Sequence, residues 1–138
     1  MTIVALDHVN IRVSDVPKTL AFLGDVLGLK LSLSPGATSM EKGAWAMDAQ
    51  DVPILHVGST EIAGLGDRSG APAIGSGAIH HVALRCTAFE ETKQRLTDKA
   101  LPYHENYVPQ MKLRQIFVAD PNDILFELNF LDAEIDQG

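Results

Sequence analysis

An α+β fold made of two tandem βαβββ modules is predicted by three features of the 138-residue chain. The phrase "LDHVNIRV" at 6–13 returns as "IHHVALRC" at 79–86, each copy leads straight into a helix-like segment, and each half closes on an Asp-x-x-Asp turn followed by a short apolar strand. Self-similarity of this length is the mark of a duplicated supersecondary unit.

The elements follow in order. In the first phrase Val9, Ile11 and Val13 alternate with His8, Asn10 and Arg12; in the second, Val82, Leu84 and Cys86 alternate with His81, Ala83 and Arg85. Period two gives each strand one apolar and one polar face. His80 falls on the side of Val82 and Leu84 and reads as a structural residue. After the first strand, Ser14 or Asp15 can cap a helix with Pro17 in its opening turn, a buried stripe of Val16, Leu20, Leu23 and Leu27, and Gly28 at a left-handed end. After the second, Thr87 and Glu90 have the spacing of a capping box, with Phe89, Leu96 and Ala100 as the apolar stripe before Leu101 and Pro102 stop the helix. Short strands near 29–33 and 103–106, then "GAWAMD" and "KLRQIFVAD", continue each module. The turns Asp48 to Asp51 and Asp120 to Asp123 lead into "ILHV" and "LFEL", which align His56 with Glu127. Module 1 therefore covers 1–62 and module 2 covers 78–131 of one domain, joined by the Gly/Ala/Pro/Ser-rich linker 63–77. Trp45 and Met47 share one side of a strand and read as packing residues.

Composition limits the partners. The formal charge is −7 with no Lys/Arg-rich run, which argues against nucleic acid and anionic membrane. A single cysteine, Cys86, excludes an internal disulfide framework. Neither a leader pattern nor an apolar run of spanning length is present, so a cytoplasmic location is expected.

The repeat also puts metal-capable side chains at two pairs of equivalent positions, His8 with His81 and His56 with Glu127. Four unrelated structural residues have no reason to occupy matching places. Imidazoles with one carboxylate suit a borderline divalent ion (Fe, Mn, Co, Ni or Zn) better than calcium, which prefers oxygen alone.

These modules, and the stretches "LDHVNIRV", "IHHVALRC" and "RQIFVADPNDILFELNF", resemble the vicinal oxygen chelate superfamily, which includes glyoxalase I, extradiol dioxygenases, methylmalonyl-CoA epimerase and the fosfomycin- and bleomycin-resistance proteins. The resemblance covers nearly the whole chain. It implies a cup-shaped, mostly antiparallel sheet around one divalent metal, with His8, His56, His81 and Glu127 as ligands, and a homodimer. It further implies an enzyme, a lyase or isomerase, that chelates a small substrate through vicinal oxygens and stabilises an enolate-like charge by Lewis acidity. Glu127 and His56 are the candidates for proton transfer, Glu127 ranked first, with Tyr103, His104 and Tyr107 behind them. Asn10, Arg12, Arg85, Tyr103 and Gln115 are the expected substrate contacts, and Asn129 is a further candidate for the cup lining. Glyoxalase I typically carries a carboxylate where His56 stands, which argues against lactoylglutathione chemistry. The absence of a basic cluster argues against a fosfomycin transferase. Two alternatives stand beside the preferred reading: an Fe(II) extradiol-type ring-cleaving dioxygenase, and a non-catalytic bleomycin-resistance-like binding protein, which would lack the ligands this chain has.

Overall fold

Each half of the chain folds as strand, helix and three strands. The computed structural model describes residues 1–62, 75–77 and 79–134, and the chain divides into two compact units, Met1–Ala73 and Ile74–Gly138. The predicted linker 63–77 lies outside the described residues except for 75–77.

In the first unit, β1 (Val9–Val13), α1 (Val16–Ala21), β2 (Lys30–Ser32), β3 (Gly43–Met47) and β4 (Pro53–Ser59) follow in order, and the strands form one sheet in the order β1-β4-β3-β2. In the second, β5 (Val82–Arg85), α2 (Phe89–Asp98), β6 (His104–Val108), β7 (Leu113–Ala119) and β8 (Leu125–Leu131) form a sheet in the equivalent order β5-β8-β7-β6. Each sheet pairs its first and last strands in parallel and the rest antiparallel. The registers coincide as well. Val9 lies opposite Leu55 and Asn10 opposite His56, just as Val82 lies opposite Phe126 and Ala83 opposite Glu127. This is the α+β duplication the sequence predicts.

One face of each sheet is apolar and covered by its helix. Ile11, Val13, Leu55, Val57, Ala44 and Ala46 are buried in the first unit, and Ile116, Val118, Phe126, Leu128 and Phe130 in the second, where the Phe89 ring of α2 meets Phe130 edge-on at 5.2 Å. The opposite faces carry the polar side chains.

Helix ends depart from expectation in three places. Asp15 does cap α1, accepting from the Lys18 amide at 3.0 Å, but the helix then widens into a π-helical turn at Phe22–Val26. The extra residue rotates the stripe, so that Phe22 and Val26 are buried and Leu27 is only half-buried. Gly28 takes the left-handed conformation, φ 72°. Thr87 and Glu90 form no capping box. Ala88 adopts φ 61° and becomes the residue before the helix, which moves Glu90 one position too early for the box. At the other end Ala100, at φ 53°, leaves the helix exposed instead of extending its buried stripe.

The two Asp-x-x-Asp turns are alike bond for bond. Asp48 accepts from the amides of Gln50 and Val52 at 2.9 and 3.0 Å, and Asp120 from those of Asn122 and Ile124 at 2.8 Å each. Asp51 and Asp123 close them at φ 62° and 60°, a conformation that Asp tolerates. Among the described residues no helix is long and apolar enough to cross a membrane.

Candidate metal centre

On the polar face of the first sheet, Ser32, Trp45, His56 and Asn10 stand opposite one another across β2, β3, β4 and β1. His8, just before β1, shares that face with Asn10, and its ring centroid lies 6.4 Å from that of His56. Trp45 lies between them, stacked on His56 at 4.4 Å with 16° between planes and edge-on to His8 at 4.8 Å. His8 donates from Nδ1 to the Asp7 carboxylate at 2.6 Å, which turns Nε2 outward as the candidate ligand atom, the usual carboxylate–histidine arrangement behind metal sites. His56 is steadied by the Asn10 amide at Nδ1, 2.9 Å, with the Ser34 hydroxyl 3.4 Å from Nε2.

Burial, and then the neighbouring charges of His8 and Arg12, lower the pKa of His56 from its ordinary value. At neutral pH it is therefore an uncharged imidazole, with Nδ1 accepting from Asn10 and its hydrogen on Nε2 toward Ser34, so binding an ion would displace one of these contacts. An unfolded chain takes up this proton near pH 6.5 and the folded chain only at lower pH, so folding stability is fully present above about 6.5 and is lost as the pH falls through the folded value. His56→Gln is expected to flatten that part of the acid limb, measured as Tm against pH between 5 and 7. A limb unchanged in slope would contradict the assignment.

The second sheet builds its counterpart from a carboxylate. His81, just before β5, and Glu127 of β8 meet with Nε2 and Oε2 3.0 Å apart. This is the length of an ordinary imidazole–carboxylate hydrogen bond; the two groups are also of the types that bind a borderline divalent ion. Gln115 and Asn129 donate to the other oxygen, Oε1, at 2.7 and 2.9 Å. The His80 ring meets His81 edge-on, with the two Nδ1 atoms 2.9 Å apart. The described residues include no group of three or more His, Cys, Asp or Glu side chains placed to hold an ion; each unit brings two of the candidate side chains near one another.

Several expected roles change. Tyr103 was expected to contact substrate, but it comes one residue before β6, on the alternation of Glu105, which pairs with buried Ile116, and it sits beside Lys93 of α2, on the helix-covered side. Tyr107 lies on that face too and donates to Asp132 at 2.9 Å. Gln115, also expected at the substrate, is buried with its amide spent on Glu127, Asn129 and Asn106. Trp45 is no mere packing residue but a wall of the histidine pair, and its place opposite His56 in the register was the signal for it. His80 is exposed rather than turned to the apolar side. Asn10, Arg12 and Arg85 do lie on the polar faces. Arg12 donates to the Ile62 carbonyl, and Arg85 forms a two-pronged pair with Glu134 at 3.1–3.3 Å. Cys86 plays no part as a nucleophile, since burial pushes its thiol up to about 11.

Comparison with known proteins agrees with this architecture. No curated protein sequence matches the chain significantly. Among solved structures, a virulence protein from Salmonella typhimurium superposes with a TM-score of 0.65 at 17% identity, covering 95% of this chain and 99% of that one. A variant of the fosfomycin resistance protein FosX from Listeria monocytogenes, complexed with Mn(II) and a dihydroxypropylphosphonic acid, gives 0.61 at 21% identity over 92% and 90% of the two chains. Lactoylglutathione lyase from Agrobacterium tumefaciens gives 0.63 at 18% over 91% and 92%. At these identities the likeness is one of fold. The sequence match to a family is separate and spans residues 5–128. The chain belongs to the Glyoxalase/Bleomycin resistance protein/Dioxygenase superfamily.

Proposed function

We propose that this protein is a divalent-metal-dependent lyase or isomerase acting on a small substrate with vicinal oxygens, with His8, His56, His81 and Glu127 as ligands. The observation that carries the reading is the matched pairing. Identical strand registers give each unit one histidine ahead of its first strand and one donor on its last, and outer partners hold all four in orientation. Imidazoles and one carboxylate are the donor types that Fe, Mn, Co, Ni or Zn accepts. The retained ligands favour an enzyme over a sequestering protein.

When bound, such an ion supplies Lewis acidity toward adjacent oxygens. The chain's own residues do the rest. Glu127, ranked first for proton transfer from the sequence, and His56 would each have to leave the ion to take up a proton; Glu127 is tied down at one oxygen by two amides, so His56 would be the freer of the two. Asn10 orients its ring. Arg12 and Arg85, at equivalent positions on the two polar faces, offer positive charge to a substrate oxygen. Were all four side chains to hold the ion, a chelating substrate and oxygen would compete for what room remained, which is the ground for preferring proton-transfer chemistry over a dioxygenase.

The test loads the protein anaerobically with Mn(II), Co(II), Ni(II), Zn(II) or Fe(II). Metal-dependent deuterium incorporation from D2O beside the oxygens of α-hydroxy ketones and 1,2-diones, followed by NMR, is the expected result. Stoichiometric oxygen uptake with ring cleavage of catechols by the Fe(II) form would overturn the reading in favour of a dioxygenase. A homodimer is proposed for the assembly, and light scattering at working concentration checks it.

A further inference from the structure

The second sheet carries an amide ladder that the first lacks. Asn106, Gln115, Asn129 and Arg85 stand opposite one another across β6, β7, β8 and β5. A carboxylate only accepts hydrogen bonds, so Glu127 sets the polarity of the row. Gln115 spends both Nε2 hydrogens, on Glu127 Oε1 at 2.7 Å and Asn129 Oδ1 at 3.1 Å, and its own Oε1 accepts from Asn106 Nδ2 at 2.7 Å. Asn129 Nδ2 adds a second bond to Glu127 Oε1 at 2.9 Å. Gln115 is 9% exposed, and it has no donor left for a substrate.

The internal repeat supplies the comparison. In the first sheet the corresponding row reads Gly43, Gly58 and Arg12. Glycines thus stand where Gln115 and Asn129 stand in the second, and a Cβ on Gly58 would come within 3.0 Å of Arg12 Nη1. The ladder accompanies the carboxylate. Where His56 replaces that carboxylate, the ladder is absent, one amide from Asn10 on β1 serves the ring instead, and Arg12 lies over the glycine row.

We infer that Gln115, assisted by Asn129, is a positioning residue for Glu127: it saturates Oε1, so that Oε2 alone is presented beside His81 and the carboxylate binds a cation through one oxygen. Turning the carboxyl group would break two charge-assisted bonds at once. The inference rests on the metal-site proposal above, and it assigns Gln115 to ligand geometry instead of substrate contact.

The experiment is a double-mutant cycle read as Co(II) affinity, by competition with a chromophoric chelator, on the full chain. Gln115→Met, which keeps the length and removes the donors, is expected to weaken binding about 10- to 100-fold. In a Glu127→Gln background the same substitution should change affinity by no more than about twofold, because the group it acts through is altered. Equal losses in both backgrounds, or no loss in the wild-type one, would overturn the inference while leaving the metal site standing. A wild type that binds no Co(II) would overturn both. Should Gln115→Met fail to fold, Asn129→Ala removes one of the two donors from a half-buried site; a smaller loss, again confined to the wild-type background, supports the inference, and an undiminished affinity overturns it.

Discussion

Truncating Phe130 to alanine is expected to cost about 3–5 kcal/mol of unfolding free energy, a large share of the roughly 5–15 kcal/mol that holds a domain of this size. Phe130 is fully buried in β8 and receives the Phe89 ring edge-on. Its removal opens a cavity between α2 and its sheet and ends the aromatic pair, itself worth about 0.5–1.5 kcal/mol. Urea titration of the metal-free protein is the measurement, with a lower midpoint at unchanged slope. A loss below about 1 kcal/mol, the range of ordinary surface changes, would mean that α2 does not pack on the sheet as described.

Replacing Glu127 with alanine is expected to remove most metal affinity, by more than the about 10- to 100-fold typical of an outer partner. The side chain is 13% exposed and lies 3.0 Å from His81. Its loss takes away the anionic donor and also leaves the Gln115 and Asn129 amides without their acceptor, a stability cost of about 1–3 kcal/mol. The two effects separate experimentally: calorimetric titration with Zn(II) reads the first and thermal unfolding of the metal-free protein the second. An alanine variant that binds Zn(II) as the wild type does would remove Glu127 from the ligand set.

The fold was legible because its signals are local and repeated. Val9, Ile11 and Val13 state their period within one strand, and the gapless match of 6–13 with 79–86 shows the duplication, whereas the pairing of Asn10 with His56 and of Ala83 with Glu127 came from the structure. Duplication also exposed the candidate ligands, since it compares the chain with itself. What the sequence hid depends on contacts across strands or on backbone choices without a residue signature. Asn106, Gln115 and Asn129 lie on three strands, and nothing local shows that their amides meet. Trp45 looks like core until its stacking on His56 is seen. Ala88 at φ 61° and the π-turn at Phe22–Val26 are set by how each helix seats on its sheet, and alanine or phenylalanine gives no warning of either.

The account's central claim is that the paired positions hold one divalent ion per chain. Elemental analysis of the purified wild type beside the His81→Ala/Glu127→Ala double variant tests it most directly: about one divalent ion per chain in the first and none in the second is predicted, and stoichiometric metal retained by the double variant would contradict it.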